Sequence, residues 1–315
     1  MTKASEPKVS VVIPTYNRGH LLRASVGSVL SQSFGDFEVI IVDDGSSDNT
    51  ADIVKSIDDP RVRYISLDEN RGAPFARNVG IDAARGEFVA FQDSDNEWKS
   101  KKLEKQMHAF ANATGDVGVV YTGTWRFGKG HPYYLPHKTV GCKQGDVHKE
   151  LLNGNFVDLP TSVVRKRCFN KSGVFDERLG RLQEWDLFIR ISRYYRFVYL
   201  DEPLSLSYVQ HDSISLDDDA FVQAMDLTLE KHYAVFSQNK AILARHLGCT
   251  GELLMSNDRV NEARRYFLRA WRCCPYSGRW IASLALTFLG RGLYKNCRQI
   301  YAKAKKLKTA TGTDM

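Results

Sequence analysis

Three acidic clusters in this chain have the residue types and spacing for chemistry. Asp93-Ser94-Asp95 puts two carboxylates two residues apart, directly after the apolar run Glu87-Phe-Val-Ala-Phe91. Hard oxygen donors of one sign suit a hard divalent cation such as magnesium or manganese. Such an ion neutralises charge on a diphosphate leaving group. The spacing alone is not diagnostic, because Asp217 and Asp219 repeat it in a stretch that reads as a solvated loop. The strand in front of Asp93 and Asp95 sets them apart. Asp43-Asp44 also follows an apolar run, Phe37 to Val42. A carboxylate there can accept from a base N–H or a ribose hydroxyl. It can equally build the turn that Asp43-Asp44-Gly45-Ser46-Ser47 spells, and the residues alone leave both readings open.

The third cluster is Glu184-Trp-Asp186-Leu-Phe-Ile-Arg190. On a helix Asp186 and Arg190 are neighbours and can pair. Glu184 lies about 160° around the helix axis from Asp186 and points elsewhere. Trp185 and Leu182 beside it can desolvate its carboxylate, which suits a general base. Without context the same pattern is an ordinary amphipathic helix with surface acids. His211, ahead of Asp212 and Ser213, can reach a diphosphate or a metal, and reads as readily as a plain loop histidine.

These clusters must be positioned by strands and helices that alternate along the first third. Lys8 to Ile13 is β-branched and stops at Pro14, as a buried parallel strand does. Leu22, Val26, Val29 and Leu30 share one helical face within Leu21 to Gln32. Phe37 to Val42, Val62 to Ile65 and Glu87 to Phe91 read as further strands, with a helix from Gly72 to Ala84. This alternation predicts a doubly wound α/β sheet whose ligands bind at strand C-termini, where the first two acidic clusters fall. Val117 to Tyr121 and Phe197 to Leu200 read as strands, Leu182 to Tyr194 as a helix, and Gly128 to Pro136 as a loop.

The assembled segments resemble family-2 glycosyltransferases. Val9-Ser-Val-Val-Ile-Pro-Thr-Tyr-Asn-Arg18, Val39-Ile-Ile-Val-Asp-Asp-Gly-Ser-Ser-Asp48, Asn70-Arg-Gly-Ala-Pro-Phe-Ala-Arg-Asn-Val-Gly-Ile81, Asp93-Ser-Asp95 and Gln183-Glu-Trp-Asp-Leu-Phe-Ile-Arg190 stand in the family's order. They occupy residues 8–215, about two thirds of the chain, and exclude the tail. The resemblance implies an α/β GT-A nucleotide-diphospho-sugar transferase fold, Rossmann-like with a mostly parallel sheet. It also implies transfer with inversion from a nucleotide-diphospho-sugar, a UDP-sugar first, to a glycan or lipid-linked acceptor. Thr15, Tyr16 and Asp44 would hold the nucleoside, with Asp44 facing the base. Asp93 and Ser94 would stand at the ribose or a metal-bound water, and Asp95 would ligate Mn2+ or Mg2+ together with Asp93. Arg77 and Asn78 fall in the family's donor-side helix. The family often has Glu-Asp before the aromatic residue, the Asp being the base. Gln183 and Glu184 stand there in this chain, so the base role passes to Glu184, with Asp186 as the alternative. Asn96 also stands where many relatives carry a further Asp.

The tail differs in kind. Leu247, Gly251, Leu254, Ala263, Phe267 and Ala270 recur 34 residues later as Ile281, Ala285, Phe288, Cys297, Tyr301 and Ala304. Period and spacing are similar to tetratricopeptide helical hairpins. From Lys240 onward the charge is +11, against −4 for the remainder of a chain of net +7. A basic tail suits an anionic membrane surface or a protein partner; no nucleic-acid reader motif accompanies it, so nucleic acid is not expected. The expected division is 1–218 for the catalytic domain (1–115 donor side, 116–218 acceptor side), 219–246 for a connecting helix, 247–309 for the hairpins and 310–315 for a disordered end. Six cysteines without a Cys-x-x-Cys pair, and an opening with no secretory leader, read as a cytoplasmic protein, peripheral at the inner membrane face. Two rival readings are a degenerate transferase domain serving as a binding scaffold and a nucleotidyltransferase. The second would want a Gly-rich phosphate loop where Pro14-Thr-Tyr-Asn-Arg18 stands.

Overall fold

β-branched residues dominate the first two strands, and both are buried along their whole length, as strands covered on both faces must be. The computed structural model describes residues 6–128, 130–209, 217–289, 292 and 294. In chain order it runs β1 (Val9–Thr15), α1 (Gly19–Leu30), β2 (Phe37–Asp43), α2 (Thr50–Lys55), β3 (Val62–Ser66), α3 (Ala73–Ala83), β4 (Phe88–Phe91), β5 (Asn96–Trp98) and α4 (Lys102–Ala111). It continues with β6 (Val117–Phe127), β7 (Tyr133–Leu135), α5 (His148–Asn153), β8 (Ser162–Arg165), α6 (Cys168–Ser172), α7 (Gln183–Ile191) and β9 (Arg196–Tyr208).

These strands form one sheet in the order β3-β2-β1-β4-β8-β6-β9-β5, with β7 paired to β6. The half β3-β2-β1-β4 is parallel. Beyond β4 the sheet is mixed: β8 is antiparallel to β4 and β6, β9 runs parallel to β6, and β5 is antiparallel to β9. The parallel half is the doubly wound arrangement expected from the sequence, whereas the sheet as a whole is mixed and not mostly parallel, because β8 and β5 enter it antiparallel to their neighbours. Val11, Ile13, Val39, Ile41 and Ala90 of its strands share a core with Leu22, Val26 and Val29 of α1.

Three local differences from the sequence reading have plain causes. The first strand continues through Pro14 to Thr15, because β4 ends opposite Val12 and Pro14 meets only Val42 of β2. Its missing N–H therefore breaks no second ladder. Residues 128–136, expected as a loop, contain β7, because β6 runs on to Phe127 and Trp125 pairs with Tyr134. Asp217, expected in a solvated loop, caps a helix: its Oδ1 accepts from Ala220 N–H at 2.9 Å.

The chain divides into two compact units, residues 1–224 and 225–315, within α8 (Asp218–Lys231). The expected single helix over 219–246 is instead α8, α9 (Tyr233–Phe236) and the start of α10 (Lys240–Ser256). Asn239 restarts the helix by accepting from Ile242 N–H at 3.3 Å. In the second unit α10 packs on α11 (Val260–Cys273), which packs on α12 (Gly278–Leu286). A Cβ at Gly248 would lie 2.1 Å from the Trp280 ring, so only glycine allows that approach. Leu247 and Leu254 of the first period are buried, whereas Ile281 and Phe288 one period later are 47% and 68% exposed. The repeat positions Cys297, Tyr301 and Ala304 lie outside the described residues, as do 295–309 as a whole. No helix among the described residues is long and apolar enough to cross a membrane.

Candidate active site

At the C-terminal ends of β1, β2 and β4 the first unit holds a cavity of about 740 Å³. One side of it is built by the turns after β1 and β2. Asn17 adopts φ 51°, a left-handed conformation that asparagine tolerates well. Its Oδ1 accepts from Ser47 N–H at 2.8 Å and Asp48 N–H at 3.3 Å, and its own N–H donates to Ser46 Oγ at 2.8 Å. One residue thus ties the two motif turns together. Gly45 has φ +75°, and a Cβ there would stand 2.7 Å from the Glu69 carbonyl carbon. This glycine is obligatory on both counts.

The two acids at the end of β2 separate in their contacts. Asp43 accepts from Ser46 N–H at 2.9 Å and Tyr64 Oη at 2.5 Å, and does not line the cavity. Burial and this carboxylate push the Tyr64 phenol up to about 12. Asp44 lines the cavity and accepts from Arg71 N–H at 3.0 Å and Gly72 N–H at 2.7 Å. Those bonds fix the lead into α3 and use two of about four lone-pair positions, leaving acceptor capacity toward a ligand. Thr15, with a buried Oγ1 that has no hydrogen-bond partner, and Tyr16, 45% exposed, line the same side.

Asp93, Ser94 and Asp95 occupy the turn between β4 and β5, and all three line the cavity. Each carboxylate already holds a guanidinium. Arg77 Nη2 donates to Asp93 Oδ1 at 2.7 Å, and Arg18 Nη1 to Asp95 Oδ2 at 2.7 Å. Burial, reinforced by the charge of Asp93, raises the pKa of Asp95 against the pull of Arg18. No group of three or more His, Cys, Asp or Glu side chains suited to a metal ion occurs among the described residues. Arg77 also donates from Nη1 to Gln183 Oε1 at 2.6 Å, linking α3 to the start of α7. Asn78 faces another way. It exchanges hydrogen bonds with the Phe175 backbone, at 3.0 Å and 2.9 Å, and does not line the cavity.

Glu184 and Asp186 also part company. Leu182, at the N-cap of α7, has φ 59°, an uncommon conformation for a branched residue. Glu184 in the first turn lines the cavity, and Asn155 Nδ2 donates to its Oε1 at 3.2 Å. Desolvation raises its pKa, and the nearby charges of Asp158 and Asp93 act in the same direction. Asp186 is fully buried, away from the cavity, and binds Arg190 through Nε at 3.0 Å and Nη2 at 2.7 Å. It is the helical ion pair that the spacing predicted, and its placement takes it out of the site as an alternative base. His211 lies outside the described residues.

Arg18, Arg126, Asn155 and Asp158 belong to this region and were given no role from sequence. For Asp158 a signal existed: one acid set among Phe156, Val157, Leu159 and Pro160, apolar residues that are all buried. Desolvation raises its pKa in spite of Arg126, which donates to its Oδ1 at 2.9 Å.

A half-parallel sheet with carboxylates at its strand ends and a desolvated acid lining the same cavity fits the GT-A class of nucleotide-diphospho-sugar transferase folds. The chain matches the Glycosyl transferase family 2 profile over residues 10–173 and belongs to that family. It is 47% identical over 104 residues to TuaG of Bacillus subtilis (strain 168), named for teichuronic acid biosynthesis; the match covers 32% of this chain and 41% of that one. It is 41% identical over 99 residues, 31% of this chain and 39% of the relative, to the UDP-Glc:alpha-D-GlcNAc-diphosphoundecaprenol beta-1,3-glucosyltransferase WfgD of Escherichia coli. These alignments span about two fifths of the relatives' own length. Among solved structures, S. aureus TarS 1-349 in complex with UDP-GlcNAc shares the fold, with a TM-score of 0.63 at 20% identity over 93% of this chain and 92% of that one.

Proposed function

We propose that this chain is an inverting, metal-dependent glycosyltransferase. It would move a sugar from a nucleotide-diphospho-sugar to a hydroxyl of a glycan or lipid-linked acceptor. The observation that carries this reading is Glu184. It is a desolvated carboxylate of raised pKa on the wall of the cavity that Asp44, Asp93 and Asp95 also line. A base with its pKa moved toward neutrality is matched to taking a proton from an alcohol.

Thr15, Tyr16 and Asp44 would orient the nucleoside, and Arg77 would keep Asp93 and Gln183 in place around the donor sugar. Glu184 takes the acceptor hydroxyl proton. The oxygen so released bonds to the anomeric carbon as the bond from that carbon to the diphosphate oxygen breaks on the opposite face. Orientation and fixed charge would provide most of the acceleration. The residues fit a divalent ion. Asp93 and Asp95 are hard oxygen donors that both line the cavity, and burial, with the charge of Asp93 second, raises the pKa of Asp95, a penalty that a bound cation would relieve. Asp95, with Asp93, would hold Mn2+ or Mg2+, which would supply charge neutralisation for the departing diphosphate. The name of the WfgD relative supports a UDP-sugar as first candidate donor and a lipid-linked acceptor. We extend the reading to a cytoplasmic protein, peripheral at the membrane, with the basic second unit as a repeat-like docking element.

A thermal-shift panel tests this directly. UDP-, GDP-, dTDP- and CMP-sugars would each be added with manganese, magnesium or chelator. One nucleotide should stabilise the protein in a metal-dependent way, by several kcal/mol at about 100 Kd of ligand or more. Silence across the panel in a folded sample would favour the scaffold reading.

A further inference from the structure

Arg126 and Asp158 form a third charged pair on the cavity wall, carried by β6 and the segment before β8. Arg126 stands on β6, directly across the ladder from Tyr133 on one side and Ser207 on the other. Cross-strand partners share a face. Ser207 lines the cavity together with Arg126, which shows which face that is. Tyr133, across the ladder from Arg126, is 48% exposed. Asp158 holds the guanidinium through one hydrogen bond, Nη2 to Oδ1 at 2.9 Å. Arg126 Nε and Asp158 Oδ2 are buried and have no hydrogen-bond partner. A buried pair of this kind is poorly satisfied by itself and calls for an explanation. Asp158, then the Tyr133 hydroxyl, and more weakly Glu184, favour the charged guanidinium against its burial, which places Arg126 within electrostatic reach of the base.

Resting on the glycosyltransferase reading above, we propose that Arg126, positioned by Asp158, is an acceptor subsite. It recognises an anionic group, phosphate or carboxylate, that the acceptor carries near its reacting hydroxyl. A guanidinium offers a planar fork matched to either anion. The cavity's other two Asp-paired arginines are committed at the donor side, Arg18 to Asp95 and Arg77 to Asp93. Arg126 stands instead on the base side, on the mixed half of the sheet. An anion bound there would bring its neighbouring hydroxyl toward Glu184, while Tyr133 would offer a ring face to the sugar.

The test is calorimetric titration of protein preloaded with manganese and whichever nucleotide the thermal-shift panel selects. Three probes share one gluco-configured pyranose ring: octyl glucoside, octyl glucuronide with its C6 carboxylate, and octyl-diphospho-glucose. The native protein should bind at least one charged probe about tenfold more tightly than the neutral one, or about 1.4 kcal/mol. The charged probe that wins separates carboxylate from phosphate. The double variant R126Q/D158N removes both charges and leaves no unpaired buried ion. It should bring the charged probes to the level of the neutral one and retain nucleotide affinity. D158N alone keeps the guanidinium but frees it, and should lose part of the preference. Equal binding of charged and neutral probes, or no binding to nucleotide-loaded protein, overturns the subsite. So does loss of nucleotide affinity in the double variant, which would move Arg126 to the donor. Failure of the native protein to bind any nucleotide would instead defeat the underlying reading.

Discussion

Arg18 donates to Asp95 across 2.7 Å, so the last residue of the first-strand motif holds the second carboxylate of the acidic turn. The two side chains are 18% and 13% exposed. A guanidinium therefore sits against a carboxylate that the proposed metal requires, and the two cations compete for it. Removing the competitor should favour the ion. Arg18→Met is expected to tighten manganese binding to the donor-free protein about three- to tenfold, the range for a partly buried pair worth about 1 kcal/mol. Titration of the manganese paramagnetic-resonance signal measures this. Unchanged affinity would mean that Asp95 and Arg18 remain paired in the metal complex.

The raised pKa of Glu184 fixes a pH signature. A base works only when deprotonated, so turnover falls as pH drops through its pKa. Because desolvation and the charges of Asp158 and Asp93 raise that pKa, the acid limb of kcat should lie above the ordinary carboxylate range. Glu184→Gln should lower kcat by about 10² to 10⁴ and keep donor affinity. An acid limb at the usual position of a solvated glutamate, or near-native turnover in this variant, would remove Glu184 as base.

Asp186 gives the opposite expectation, although it is only two residues away. Its carboxylate is fully buried against Arg190, which also donates to Val174 O at 2.8 Å and to Ser172 O. The pair joins α7 to the turn after α6. Asp186→Ala would leave Arg190 partly buried without its counter-ion, at a cost of about 3–5 kcal/mol. Urea denaturation should show that loss, while the fraction still folded keeps its kcat. A variant of native stability with abolished turnover would return Asp186 to the chemistry.

Much of this contrast was legible in the sequence. The strand-then-acid order marked Asp44 and Asp93 to Asp95, and four-residue spacing joined Asp186 to Arg190. Helical geometry also turned Glu184 away from Asp186. Arg126 and Asp158 were hidden for a physical reason: they meet through β6 and the segment before β8, 32 residues apart. No local periodicity records such a contact. For Asn78 the motif fixes only a helix, α3, two of whose adjacent residues face different neighbours. Arg77 turns to the cavity, and Asn78 staples the Phe175 segment. The left-handed Asn17 was readable in principle, since asparagine in a turn between strand and helix is the residue that tolerates φ > 0.

Lys102 gives a stability prediction independent of any ligand. It is the first residue of α4 and fully buried, with Nζ 3.7 Å from the centroid of the Trp98 ring and no hydrogen-bond partner. Trp98 in turn donates from Nε1 to Pro160 O at 2.9 Å, within the segment that carries Asp158. Burial lowers the lysine pKa well below its usual 10.5. The unfolded chain therefore binds a proton that the folded chain resists. Stability from this group is fully present above the unfolded pKa and declines as pH falls from there toward the folded pKa. Lys102→Met keeps the volume and removes the amine, so it should stabilise the protein by about 1–3 kcal/mol near neutral pH. The gain should shrink as the pH is raised toward 10.5. Urea titrations of both proteins at about pH 7 and about pH 10 measure the difference. A variant that is less stable at both would show that the amine is held by a favourable interaction with Trp98 that outweighs its desolvation.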